Sequence, residues 1–121
     1  MPDSPVTVTN IHDLPAQQFD WGSLKWLCSR ELAPNSEQTL GLVHILPGQQ
    51  NPEHYHPNCQ EILYMLAGEC EHSFDGAWVH LQPGMTICVP AGVKHQLVNK
   101  GWEPVSCLVC FSSGDRQTVF V

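Results

Sequence analysis

Positive charge is scarce in this sequence. Five Lys and Arg stand against twelve Asp and Glu, a formal net charge of -7. With no basic stripe, nucleic acid and anionic membrane are excluded as expected partners. Long apolar runs are also missing. The longest, Ile62 to Ala67, is far short of the ~20 residues of a membrane helix. The start, Met1-Pro2-Asp3-Ser4-Pro5, has neither a basic region nor an apolar one, so no secretory signal is expected and the cytoplasm is the expected location. Charged residues amount to only 14% against 42% hydrophobic, a balance that argues against a disordered chain. At 121 residues the length suits a single domain, expected to span 1–121.

Cysteine is not scarce: six occur, at 28, 59, 70, 88, 107 and 110. Cys107 and Cys110 form a C-x-x-C, but Pro104 to Phe111 reads as a strand. Residues three apart on a strand point to opposite faces, so these thiols diverge. All six are expected to be reduced. Ten Pro and nine Gly punctuate the chain and leave short β-branched and aromatic runs between turn signals. Strands are predicted at 6–10, 24–29, 39–46, 53–56, 60–66, 69–74, 78–81, 85–89, 95–99, 104–111 and 118–121. Many short strands at near-regular spacing suggest a small barrel or sandwich, an all-β fold. Residues 1–20 read as an N-terminal arm, with one short helical turn allowed within 12–19.

Chemistry concentrates at His54-Tyr55-His56. On a strand, residues i and i+2 share a face, about 6.6 Å apart along it. Two imidazoles so placed can converge on one metal ion. Glu61 opens the next strand and adds a hard oxygen ligand if it faces the same interior. His95, after the turn Pro90-Ala91-Gly92, is a possible third imidazole. Alone, an H-x-H among seven histidines is weak evidence.

Two spaced segments strengthen it. Gly48, His54, His56, Glu61 and Gly68 fall in one; Gly84, Pro90, Gly92, His95 and Asn99 in the other. Segments 48–68 and 84–99 resemble the paired motifs of the cupin superfamily, separated by Glu69 to Pro83. The motif-bearing region covers under half the chain. Met85 stands where many members carry Asp. The resemblance implies a jelly-roll-like antiparallel β-barrel around one divalent metal ion. His54, His56, Glu61 and His95 match the family's ligand positions, the four glycines and Pro90 its turns, and Asn99 its structural end residue. Three imidazoles and a carboxylate suit Mn, Fe, Co, Ni, Cu or Zn. The alternative is a barrel that keeps the four residues without a metal.

Strand phase places Leu63, Met65 and Leu97 beside the ligands as pocket residues, and turns Tyr64 away. Some lyases of the superfamily carry a Tyr where this chain has Leu63, which counts against that chemistry here. His44, taken in phase with Leu40 and Leu42, is the candidate acid or base, or else a core or surface histidine. Trp26, Phe74, Trp78 and Phe111 either line an apolar pocket or pack as core. His12, His72 and His80 read as surface. Lys94 points outward, so no inward cation is expected, which favours a neutral or metal-chelating organic substrate. The resulting expectation is a metal-dependent enzyme acting on a small molecule. A dioxygenase, with two open metal positions for substrate and O2, ranks first. An isomerase, decarboxylase or lyase ranks second. A non-catalytic binding module is the alternative. Alternation at Val6 to Asn10 reads as an edge strand, and with it a homodimer is expected.

Overall fold

The computed structural model describes residues 5–121. Eleven strands carry the fold: β1 (Gln17–Phe19), β2 (Gly22–Cys28), β3 (Thr39–Ile45), β4 (His54–Tyr55), β5 (Glu61–Ala67), β6 (Cys70–Phe74), β7 (Ala77–Leu81), β8 (Thr86–Val89), β9 (Leu97–Val98), β10 (Val105–Phe111) and β11 (Val119–Phe120). Among the described residues helix is limited to one 3-10 turn, Ile11–Asp13, capped by the Asn10 side chain. All the strand pairs are antiparallel. The fold is the all-β antiparallel barrel expected of the motif spacing.

One wall is a six-stranded sheet in the order β1-β2-β3-β10-β5-β8. The other combines β7-β6-β9 with β11-β4. These two pieces join where His54 and His95 exchange backbone hydrogen bonds of 3.0 and 2.8 Å. The bond pair matters for the site, because it fixes two candidate ligands side by side on one wall. Glu61 comes from the opposite wall, as the first residue of β5.

Period-two alternation produces the core. Along β5, Glu61, Leu63 and Met65 are buried while Ile62, Tyr64 and Leu66 are exposed. Along β10, Val105, Cys107, Val109 and Phe111 are buried and Cys110 is only half-buried, so the two thiols of the C-x-x-C do diverge. All six cysteines are free. Gly41 on β3 is a close-approach position. A Cβ there would lie 2.8 Å from the Trp26 ring, so only glycine lets Trp26 lie flat against the sheet. Asn99 closes the far end. Its buried amide donates to the carbonyls of Ile45 (3.0 Å) and Glu103 (2.8 Å) and accepts from the Gly101 amide (3.0 Å).

Two expectations fail at the N-terminus. Residues 6–10 form no strand; there Thr9 Oγ1 donates to the carbonyl of Leu27 at 2.7 Å. Gln17–Phe19, read as arm, is instead the edge strand β1, paired with Ser23 and its neighbours. Alternation in residues 6–10 does not by itself make a strand, whereas the turn Asp20-Trp21 closes the hairpin of β1 and β2.

Candidate metal centre

The H-x-H lies where β4 leaves the sheet, and each imidazole is held by its Nδ1. His54 Nδ1 lies 2.7 Å from the carbonyl of Pro52, His56 Nδ1 2.9 Å from that of Gln117, and His95 Nδ1 2.9 Å from that of Val93. A carbonyl only accepts, so each Nδ1 carries the proton and donates. That choice fixes the tautomer and leaves the Nε2 lone pair as the ligand atom. The Nε2 atoms of His56 and His95 lie 3.0 and 3.1 Å from one oxygen of Glu61. One ligand atom from each of His54, His56, Glu61 and His95 lies within 4.8 Å of the others. Three nitrogen lone pairs and a carboxylate aimed at one point repel unless a cation sits among them. This donor set fits a divalent transition metal.

The electrostatics agree. Burial pushes the Glu61 carboxyl up, but the facing imidazoles of His56 and His95 outweigh it and hold the group well below the usual carboxylate range. Burial, helped by the neighbouring His95, pushes His54 down to about 4, keeping it neutral and ready to ligate. Burial works against a charged His95 too, but there Glu61 prevails and its pKa is raised.

The ligands open on a cavity of about 340 Å³ within the barrel. Leu63 and Leu97 line it as phase predicted. Met65 is fully buried but belongs to the core beside Cys70, not to the cavity wall. Four residues beyond Glu61 is about 13 Å along a strand, past the site. Trp26 and Phe111 are on the wall, whereas Phe74 and Trp78 are exposed on the outer face.

His44 does not meet the expectation of an acid or base in the pocket. It is exposed, and its neighbours Val43 and Ile45 line the cavity instead. The inner face of β3 is set by Gly41, Val43 and Ile45. Phasing the strand on Leu40 and Leu42 takes the wrong side, because Gly41 has no side chain to mark its face as internal.

A histidine and an arginine of the cavity wall were missed. His72 reads as surface yet is buried, stacked on His95 at 5.6 Å with 11° between the rings. Its Nδ1 has no hydrogen-bond partner. Burial, against the favourable charge of Glu61, pushes its pKa down to about 4. The signal was available: Glu69 and Glu71 point outward, which turns Cys70 and His72 in. The second is Arg116, in the loop before β11, whose side chain reaches the cavity. The expectation of no inward cation is therefore wrong. No periodicity marks Arg116, because it lies on irregular chain. Cys107 completes the wall, its thiol pushed up by burial and by the charges of Glu61 and Cys70.

Residues 41–111 match the family model described as a cupin domain, more than half of the chain. The chain is 27% identical over 101 residues to protein SchB of Streptomyces halstedii, covering 84% of this chain and 73% of that protein. It is 26% identical over 96 residues to polyketide synthase CurC of Streptomyces cyaneus, covering 79% of this chain and 62% of that one. Among solved structures, the oxalate decarboxylase of Lactobacillus farciminis in its formate complex superposes with a TM-score of 0.86 at 21% identity, a likeness of fold. That match covers 93% of this chain but only 35% of the decarboxylase.

Proposed function

This chain belongs to the cupin family, and from that premise we propose that it is a mononuclear metal enzyme that oxidises a small organic molecule with dioxygen. A divalent ion such as Fe, Cu or Mn, held by His54, His56, Glu61 and His95, would supply Lewis acidity and one-electron chemistry with O2. The protein's own part is to hold and orient. The carbonyls of Pro52, Gln117 and Val93 keep the three Nε2 atoms directed at one point. The apolar wall excludes water, which strengthens charge interactions at the site.

The observation that carries this reading is the makeup of the wall. Among the described residues its only carboxylate is Glu61, already committed to the ligand group. Chemistry that needs a free carboxylate as acid or base has none to use there. Isomerisation, decarboxylation or lyase chemistry would have to draw on His72 for proton transfer, and that is the second reading. The polyketide synthase CurC is in keeping with a small organic substrate, and the oxalate decarboxylase with a carboxylic acid.

The test is metal analysis of untagged protein, followed by O2-uptake and CO2-release screens with each metal. Metal-dependent O2 uptake with an organic acid supports the reading. CO2 release without O2 uptake supports the second. Micromolar ligand binding with no turnover under air or nitrogen would leave a binding module.

Six free thiols suit a reducing cytoplasm. For the homodimer, the warrant moves from residues 6–10 to β1, an edge of the six-stranded sheet among the described residues. A sedimentation mass near 13.5 kDa at all concentrations would overturn it.

A further inference from the structure

Among the described residues Arg116 is the one Lys or Arg on the cavity wall. Its guanidinium lies 4.3 Å above the ring of Trp26 and 5.3 Å from that of Phe111. Gly41 makes this stack possible, because Trp26 rests flat where a Cβ would otherwise stand. One of the terminal nitrogens donates to Thr118 Oγ1. The Nε is buried and has no hydrogen-bond partner. Among the described residues Arg116 forms no ion pair. Burial lowers the Arg116 pKa from its usual value against the opposing field of Glu61, whose oxygen faces His56 and His95 instead.

A half-buried cation with no ion pair and an unpartnered Nε is costly, and in a chain of net charge -7 it is conspicuous. Aromatic faces offset part of that cost, yet they supply no acceptor for Nε. Guanidinium matches a carboxylate in shape and in donor geometry. Most of the rest of the wall is apolar, with Phe19, Trp21, Leu24 and Phe120 across the same cavity as the metal ligands, and Gln17, Asn51 and His72 among its polar members.

We infer that the cavity takes an organic carboxylate with an apolar, ring-sized body, its carboxylate held by Arg116 while its reacting end faces the metal ligands. The inference deepens the function proposed above by naming the substrate class, and rests on it only for the reacting end. A volume of about 340 Å³ lies at the lower end of small-molecule pockets, about 300–1,000 Å³, which suits one compact ring system. Arg116 is then a substrate-binding residue.

The test compares benzoate with benzamide by calorimetry, on metal-replete and metal-stripped full-length protein. The two probes share a ring and differ in charge. Benzoate should bind at least about tenfold more tightly in both preparations. Arg116→Gln should cut that preference to about twofold or less while bound metal stays unchanged. A second measurement works on the wild type and does not depend on how the variant folds. The Arg116 Nε–H resonance should move on adding benzoate and stay in place with benzamide.

Equal affinity for the two probes, no binding of either, or a preference that survives Arg116→Gln would overturn the inference. A preference lost on stripping the metal but kept in Arg116→Gln would assign the carboxylate to the metal, overturning the role of Arg116 and leaving the metal reading intact. An Arg116-dependent preference in a protein that never binds metal would sustain the inference and defeat the function proposed above.

Discussion

Glu61 and His56 meet at 3.0 Å, Oε1 to Nε2, although the other nitrogen of His56 already donates to the carbonyl of Gln117. Two acceptors so close need a cation between them, either a proton or a metal ion. His56→Ala should therefore lower bound metal from about one equivalent to well below it. His12→Ala, at an exposed site outside the cluster, should leave metal content unchanged. Elemental analysis of untagged protein decides, and full metal retention in His56→Ala would remove His56 from the ligand set.

Asn99 should matter to stability out of proportion to its size. Replacing it with Ala strands the buried carbonyl of Ile45 and frees the amide of Gly101. Gly101 is exposed, so its amide can turn to water; one buried unsatisfied group costs about 1–3 kcal/mol, and a loss of that order is expected for Asn99→Ala. The urea midpoint should fall with an unchanged slope. A midpoint equal to that of the wild type would show that the amide can be replaced by water.

His44→Ala should change little. Its side chain is exposed while its neighbours line the cavity, and such surface changes stay within about 0.5 kcal/mol. Metal content and turnover should match the wild type. A large loss of turnover with metal retained would return His44 to the reaction.

His80 and Glu71 sit directly opposite on β7 and β6, with His80 Nδ1 donating to Glu71 Oε1 at 2.7 Å. The carboxylate raises the His80 pKa above 6.5. A raised folded value means the pair contributes below the unfolded pKa, and the contribution fades as pH climbs through the folded one. NMR titration should place the His80 midpoint above 6.5, and Glu71→Gln should bring it back down. A midpoint at or below 6.5 in the wild type would dismiss the pairing in solution.

The sequence made the metal ligands legible because their signal is spacing, and spacing survives in one dimension. Strand phase was legible where side chains marked it. Glu61, Leu63 and Met65 all turn inward as alternation requires. Phase failed on β3, where the inner face begins with a glycine, and at β6, where Glu69 just before the strand and Glu71 within it mark the outer face. Val6 to Asn10 shows a further limit: alternation makes a strand only where a sheet edge receives it. Arg116 was invisible for another reason. Irregular chain has no period, so only the folded position of the 112–118 loop brings its side chain to the cavity.

Cys107 has a bearing on how long such a protein would last at work. The turnover with dioxygen proposed above would expose the chamber's own walls to stray oxidant, and a thiol beside the reaction would ordinarily be an early casualty. Oxidation proceeds through the thiolate. Burial and the charge of Glu61 keep Cys107 in the thiol form, so the residue can pack against a bound molecule without being consumed by its chemistry. Cys88, by contrast, stands exposed to solvent on the outside of β8. Wear in an ageing preparation should therefore register first on the outside of the barrel, with the reaction chamber still sound.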